Sequence, residues 1–223
     1  MALTKRVLAG GASVVLRCMP GRFFLTRPIA EVAAALAADG AAVRDEPARA
    51  NIAPGQEIVV FEAGRLTRMR WGILPVARVN ARGRPVMETI VNARSETVFQ
   101  KSAFEGVRRC VVPVDGWYEW TGEKRKKTPW RIARKDGGLL YFAAIADTWN
   151  GPGGVVVDQV AAITCEPNAD MRPIHHRMGV ILSRSDVAQW LGGSDADVAS
   201  LMVPLGEGLL DIAVAGNVDW SAP

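Results

Sequence analysis

Three polar clusters interrupt apolar, strand-like stretches of this 223-residue chain. They are Asn92-Ala93-Arg94-Ser95-Glu96-Thr97, Asp115-Gly116-Trp117-Tyr118-Glu119-Trp120 and His175-His176-Arg177-Met178. Between them the clusters hold an amide, three carboxyl groups, two imidazoles and two guanidinium groups. Carboxyl and imidazole groups transfer protons, and guanidinium groups bind phosphate as forked cations. The combination indicates acid–base chemistry on an anionic ligand.

The carboxyl group with the best position for proton transfer is that of Glu119. It follows an apolar stretch and stands between Tyr118 and Trp120. Partial loss of water around a carboxyl group raises its pKa towards values useful for proton transfer. The alternative on these residues alone is an exposed glutamate between two core aromatics. Cys110, inside the preceding apolar stretch, is expected to be an inert core thiol.

His175 and His176 are the two histidines of the chain. Adjacent residues of a strand point in opposite directions, so the two imidazoles are a poor pair of metal ligands. Either one, paired with Glu119, would make a general acid or base near neutral pH. The sequence predicts no metal site.

Asn92 and Arg94 admit two interpretations. A turn with an Asx motif or a helix cap would explain the polar run without any ligand. A binding role would use the Asn92 amide as a hydrogen-bonding group and Arg94 as a phosphate contact.

The overall charge permits a polyanionic partner without requiring one. The net charge is +4 and the isoelectric point is near 9.2, a mild excess of cations. Residues 124–127, a run of four basic side chains, are most simply a solvated hairpin tip that adds to this field. Three cysteines without metal-type spacing predict no disulfide framework and favour a reducing, cytoplasmic location.

Taken in chain order, the three clusters resemble those of the SOS response-associated peptidase (SRAP) family, the abasic-site-processing proteins. The resemblance extends from residue 19 to about residue 218. It implies that Asn92, Glu119 and His175 are catalytic residues. His175 stands in the family's Ile-His pattern, and His176 is the variable neighbour.

The resemblance also implies a surface for single-stranded DNA. Arg22, Arg94 and Arg177 match residues that contact the DNA backbone. Trp71 would be a stacking platform or wedge beside the damaged nucleotide, and Pro54 lies in the turn that matches the opposing wedge. Taken alone, Trp71 is more simply a half-buried core residue.

One position departs from the family pattern. Family members carry a cysteine directly after the initiator methionine, whereas Pro20 follows Met19 here. In the family, the amine and thiol of that cysteine form a stable thiazolidine with the aldehyde of a ring-opened abasic site. Pro20 has no thiol, but as an N-terminal residue it would be a secondary amine able to form an iminium. Cys18 could replace the family cysteine only if the chain were cleaved between Arg17 and Cys18. Arg22 would then stand at the wrong distance from the N-terminus to match the family pattern.

The pattern of apolar residues predicts an α+β fold with a largely antiparallel, barrel-like β core flanked by helices, as the resemblance also implies. We expect a helix from Thr26, with Pro28 in its first turn, until Gly40. Residues 41–50 are expected to be a loop and residues 51–56 a turn. Ser183 with Asp186, and Ser194 with Asp197, are typical of capping boxes that open two further helices. Strands are predicted at residues 57–62, 66–73, 109–113, 129–134, 140–146, 157–164, 178–182 and 209–214.

Residues 19–223 are therefore predicted to be one domain. Residues 1–18 are an N-terminal extension, either a short extra strand or the product of a start codon placed upstream of a true start at Met19. We favour the second interpretation because the resemblance begins there. Residues 7–16 form an apolar run too short to span a bilayer, and no signal-peptide cleavage site follows it.

We expect a monomer that uses no cofactor or metal and does not bind a membrane. We expect it to sense or process abasic sites in single-stranded DNA during the SOS response to DNA damage. Covalent crosslinking or lyase activity depends on what Pro20 can do in place of the cysteine. One alternative is a peptidase-like protein, a hydrolase that cleaves its own N-terminus with Glu119 and His175. Another is a DNA-binding paralogue without catalytic activity.

Overall fold

The computed structural model of the protein describes residues 20–39, 43, 45–75, 89–123 and 126–222. The predicted extension, with Cys18, and half of the basic run at residues 124–127 lie outside the described residues. The strands are β1 (Arg22–Leu25), β2 (Arg49–Ile52), β3 (Glu57–Glu62), β4 (Arg65–Trp71), β5 (Asn92–Arg94), β6 (Arg108–Val114), β7 (Gly116–Glu123), β8 (Lys126–Arg134), β9 (Leu140–Asn150), β10 (Val156–Cys165), β11 (Met178–Gly179), β12 (Ile181–Leu182) and β13 (Leu210–Val214). The helices are α1 (Ile29–Leu36), α2 (Val187–Gly192) and α3 (Asp195–Ala199).

The core is a ring of strands. β4, β3, β6 and β9 pair in that order as antiparallel neighbours, and β10 closes the ring by pairing with β9 and, in parallel, with β4. A second sheet has the order β13-β8-β7-β1-β2. Closure leaves few free sheet edges. The predicted α+β fold with a barrel-like, largely antiparallel core is confirmed.

The predicted hairpin between β3 and β4 is present. Ala63 and Gly64 both have a positive φ, at 48° and 78°, and Glu62 faces Arg65 across the turn. Two left-handed residues in a two-residue loop match the right-handed twist of the flanking strands.

The three predicted helices are present, but α1 ends at Leu36 and not near Gly40, and the starts of α1 and α2 also differ from the prediction. α3 has the predicted capping box of Ser194 and Asp197. α2 begins after Asp186, not at Ser183. Thr26 does not cap α1: its hydroxyl donates to Asp115 at 2.9 Å, and Pro28 precedes the helix. The buried Asp115 carboxylate therefore competes successfully for the group that the sequence assigned to the helix.

Four strands were not predicted from the sequence pattern. β2 lies where a loop and a turn were predicted, β5 lies in the polar cluster that was interpreted as a turn or a binding segment, and neither β1 nor β7 was predicted. β1 lies between β2 and β7 and pairs with both. Short strands of this kind form because neighbouring strands provide hydrogen bonds on both sides, which local propensity does not show.

Trp71 is a core residue. Its side chain is 0% exposed, its ring stacks on Phe23 with centroids 4.4 Å apart, and its indole N–H donates to the Val91 carbonyl at 3.1 Å. No face of the ring is open to a nucleobase. The prediction of Trp71 as a stacking platform is wrong, because the last residue of β4 turns into the core.

Replacing Trp71 tests this assignment. Trp71→Ala removes a fully buried indole, so we expect the free energy of unfolding to fall by about 3–5 kcal/mol, as measured by urea denaturation. Trp149→Ala, which removes a half-buried indole, should cost less. A loss below about 1 kcal/mol for Trp71→Ala would contradict the core assignment.

Candidate active-site cleft

Glu119 lies in β7 with only 3% of its surface exposed. Its Oε1 accepts a hydrogen bond from the Gly21 amide at 3.0 Å. Burial raises the pKa of Glu119 to about 8, although the Gly21 amide and the Lys127 ammonium each oppose the shift. A carboxyl group with this pKa is mostly protonated at pH 7 and can donate or accept a proton near neutrality.

Glu119 lines a cleft of about 660 Å³ along the second half of β7. Four residues predicted for the site meet on its walls: Arg22, Pro54, Glu119 and His175. Pro20 is buried and precedes Gly21, which also lines the cleft. The hydrogen bond from Gly21 therefore holds residue 20 close to the Glu119 carboxyl.

His175 is held by the backbone around it. Its amide donates to the Met171 carbonyl at 2.9 Å, and its Nδ1 accepts from the Arg177 amide at 3.1 Å. An Nδ1 that accepts leaves the proton of a neutral imidazole on Nε2. His176 also lines the cleft, and its ring stacks on that of His175 with centroids 4.3 Å apart.

Arg22 is anchored through Asn51. The Arg22 guanidinium donates to the Asn51 side-chain oxygen at 3.1 Å. The Asn51 amide nitrogen donates to the carbonyls of Asp219 and Ala222, at 3.1 and 2.6 Å. The buried Asn51 thereby connects a cation of the cleft to the C-terminal segment, a contact that the sequence pattern did not predict.

Asn92 and Arg94 are not among the residues that line the Glu119 cleft. They line a second cavity of about 710 Å³, together with residues 100–105. Both polar atoms of the Asn92 side chain are buried without a hydrogen-bond partner in the described part of the chain. A buried amide without partners is costly unless a ligand or water satisfies it, which favours the binding interpretation over the turn.

Arg177 is engaged elsewhere. Its guanidinium binds both oxygens of Glu96, one of them at 2.9 Å, and donates to the Thr164 carbonyl at 2.6 Å. Hydrogen bonds from Arg177 lower the pKa of Glu96 to about 2. Arg177 does not line the cleft. Contact with a phosphate would have to displace Glu96, so in this conformation Arg177 supports the loop that carries His175.

Several residues on the cleft walls were not predicted as site residues, and three of them carry a cation or a large aromatic ring. Arg172, Lys127 and Trp120 join Arg22 on its walls. Lys127 and Trp120 stood in runs that the sequence singled out, but their placement depends on where β7 and β8 end. For Arg172 the sequence offers no signal.

The buried cysteines do not replace the missing one. Cys110 and Cys165 are both buried and free. Burial raises the pKa of Cys165 to about 12 and that of Cys110 well above its ordinary value. Thiols of this kind are inert, which confirms the interpretation of Cys110. Among the described residues there is no group of three metal-ligating side chains and no helix long and apolar enough to cross a membrane.

The shifted pKa of Glu119 predicts a pH dependence of stability. Between its ordinary pKa of 4.5 and about 8, the folded protein holds a proton that the unfolded chain has lost. Stability should therefore fall as pH rises through this window, by at most about 1.4 kcal/mol per pH unit. Urea unfolding from pH 5 to 8 measures it. Glu119→Gln, which cannot ionise, should flatten the dependence, and equal slopes for the two proteins would contradict the assignment.

Comparison with known proteins gives the same family that the clusters suggest. The family model of the SOS response associated peptidase (SRAP) matches residues 19–219. The abasic site processing protein YobE of Bacillus subtilis is 33% identical over 165 residues, which cover 69% of this chain and 74% of that protein. The corresponding protein YedK of Escherichia coli is 29% identical over 186 residues, 78% and 79% of the two chains.

Comparison with solved structures identifies proteins of the same fold. A crystal structure of a protein from Bacteroides thetaiotaomicron superposes with a TM-score of 0.75 at 26% identity and covers 87% of this chain and 92% of its own. The family model spans nearly all of the described residues, and the relatives cover more than two thirds of the chain. The chain belongs to the SRAP family.

Proposed function

We propose that this protein binds abasic sites in single-stranded DNA and processes them in the Glu119 cleft, as part of the response to DNA damage. The observation that carries the proposal is the hydrogen bond from Gly21 to the buried Glu119, whose pKa is raised by burial to about 8. It sets an acid–base group beside the residue where the family has its nucleophile. Relatives named abasic site processing proteins support the choice of substrate.

The charge on the cleft walls suits a DNA strand. Arg22, Lys127 and Arg172 supply three cations, and Glu119 is the one carboxyl-bearing residue among those that line the cleft. Because Glu119 is mostly protonated at pH 7, the cleft is positive there. Phosphate binding by such cations is a salt-dependent, sequence-independent contribution to affinity. Arg94, exposed at the second cavity, remains a predicted phosphate contact.

Pro20 supplies the nucleophile in this proposal. Methionine before a small residue such as proline is readily removed, so a chain that starts at Met19 presents Pro20 as an N-terminal secondary amine. Its nitrogen attacks the aldehyde carbon of the abasic sugar, and Glu119 donates a proton to the departing hydroxyl, which leaves as water. The product is an iminium. Loss of a proton from the neighbouring sugar carbon then expels the 3′ phosphate, and hydrolysis of the iminium releases the sugar and restores the amine.

Binding and its salt dependence test the proposed partner. We expect tighter binding to a single strand with a tetrahydrofuran abasic analogue than to the intact strand, measured by fluorescence anisotropy at several salt concentrations. Arg22→Ala should reduce the slope of log K against log[salt] by about 0.7, the contribution of one phosphate contact. Arg65→Ala, which removes an exposed arginine of β4 outside the cleft, is the control. Absence of binding at low salt would refute the proposal.

The chemistry can be tested at the substituted position. In a protein that starts at Met19, Pro20→Cys restores an amine and a thiol on one residue. We expect this variant to form an adduct with abasic single-stranded DNA that survives heat and denaturant. The parent protein should give an adduct only after borohydride reduction, as an iminium does. A variant that binds the DNA but shows no shifted band on a denaturing gel would show that the cleft lacks working catalysts.

A self-cleaving peptidase is the second candidate function. The contact of Glu119 with Gly21 favours it, because the bond between residues 19 and 20 is one residue away. Intact-mass measurement tests both candidates, because a protein that retains residues 1–19 can have neither cleaved itself nor exposed Pro20. A protein that only shields DNA needs no catalytic residues. If the cleft is catalytic, Glu119→Ala combined with His175→Ala should abolish the borohydride-trapped adduct. The monomeric state and the cytoplasmic location stay predictions.

A further inference from the structure

With Trp71 buried in the core, the aromatic surface expected beside the damaged nucleotide must come from another residue. Trp120 is the tryptophan on the cleft walls, and its ring is half-buried. It stands one residue from Glu119, at the point where β7 leaves the core. The sequence marked its position as part of a polar cluster but assigned it no role.

Alternation along β7 places Trp120 on the opposite face from Trp117 and Glu119. Trp117 joins the main core, whereas Tyr118 and Trp120 pack in a smaller cluster with Phe24. Both Glu119 and Trp120 nevertheless line the same cleft. The cleft therefore includes residues from both faces of β7, a buried carboxyl group on one and a half-buried indole on the other.

The indole of Trp120 is held on two sides. The ring of Trp220 meets it edge to face, with centroids 5.2 Å apart and planes at 62°. On another side it lies against Gly21: a Cβ atom added there would come within 2.7 Å of Trp120 Cζ3. A glycine at residue 21 thus allows the indole to lie against the backbone next to Pro20. A ring fixed in this way loses little conformational entropy when a ligand stacks on it.

Three cations share the cleft with this ring. Lys127 and Arg172 line the same cleft, and Arg22 follows Gly21 directly. Binding of a single strand combines a positively charged groove along the backbone with aromatic rings on which bases stack. Trp120 and the three cations together offer both parts.

We propose that Trp120 is the base-stacking residue of this cleft and that the nucleobase next to the abasic position stacks on its indole. Trp220 is then a positioning residue that holds the Trp120 ring. The inference rests on the proposed function. The abasic sugar has no base of its own to stack, so a neighbouring base must fix the strand while the sugar reaches Glu119. Any base fits, because every base has a π face.

Two DNA probes test the inference on the full chain. The first is a single strand of thymidines with one tetrahydrofuran abasic analogue, and the second has the analogue at three consecutive positions, so that the flanking bases are missing. We expect Trp120→Ala to weaken binding of the first probe about tenfold or more and to leave binding of the second unchanged. Trp120→Phe should retain most of the affinity for the first probe.

Two further variants separate stacking from a general loss of structure. Trp220→Ala should weaken binding of the first probe less than Trp120→Ala does, again with no effect on the second. Trp149→Ala, a half-buried tryptophan outside the cleft, should leave both probes unaffected.

Equal losses on the two probes for Trp120→Ala, or no loss on the first, would overturn the stacking role and leave the proposed function standing. A parent protein that fails to bind the first probe more tightly than an intact strand would overturn the proposed function, and this inference with it.

Discussion

The hydrogen bond between the Gly21 amide and the Glu119 carboxyl connects two segments 98 residues apart, and the rest of the site depends on it. It continues the pairing of β1 with β7, in which Arg22 faces Tyr118. The same contact satisfies part of a carboxyl group that burial would otherwise leave without partners. The start of the domain and the acid–base group are therefore positioned by one strand pairing, and neither can shift without the other.

The cost of burying Glu119 is also what makes it useful. Loss of water keeps the carboxyl protonated near pH 7, so that a protein with three cations around the cleft presents almost no opposing negative charge. An exposed glutamate in the same place would be ionised and would repel phosphate. Burial thus favours anion binding and proton donation together, at the expense of folding stability at neutral and alkaline pH.

The sequence predicts well where periodicity and turn chemistry are local. The hairpin at Ala63 and Gly64, the capping box of Ser194 and the strand at residues 57–62 follow the predicted pattern. β1, β2 and β7 could not be predicted in this way, because they are stabilised by their neighbours in the sheet. The same three strands carry or anchor Arg22 and Glu119, so the geometry of the site was the part least accessible to local pattern.

The predicted site residues also differ in how well the structure agrees with the prediction. Motif resemblance selected Glu119 and His175, which the structure brings into one cleft. The resemblance misled for Trp71, which residue type alone placed in the core, and it did not show that Arg177 is paired with Glu96. A tryptophan at a strand end can face the core or the solvent, and only the packing of Phe23 against it decides.

A crystal structure of the protein with a single strand that carries a tetrahydrofuran abasic analogue tests the central claim most directly. The account predicts that the analogue's sugar lies in the Glu119 cleft, with its anomeric carbon against Pro20 and within reach of the Glu119 carboxyl. A strand that instead runs through the cavity of Asn92 and Arg94, with the sugar away from Glu119, would contradict it.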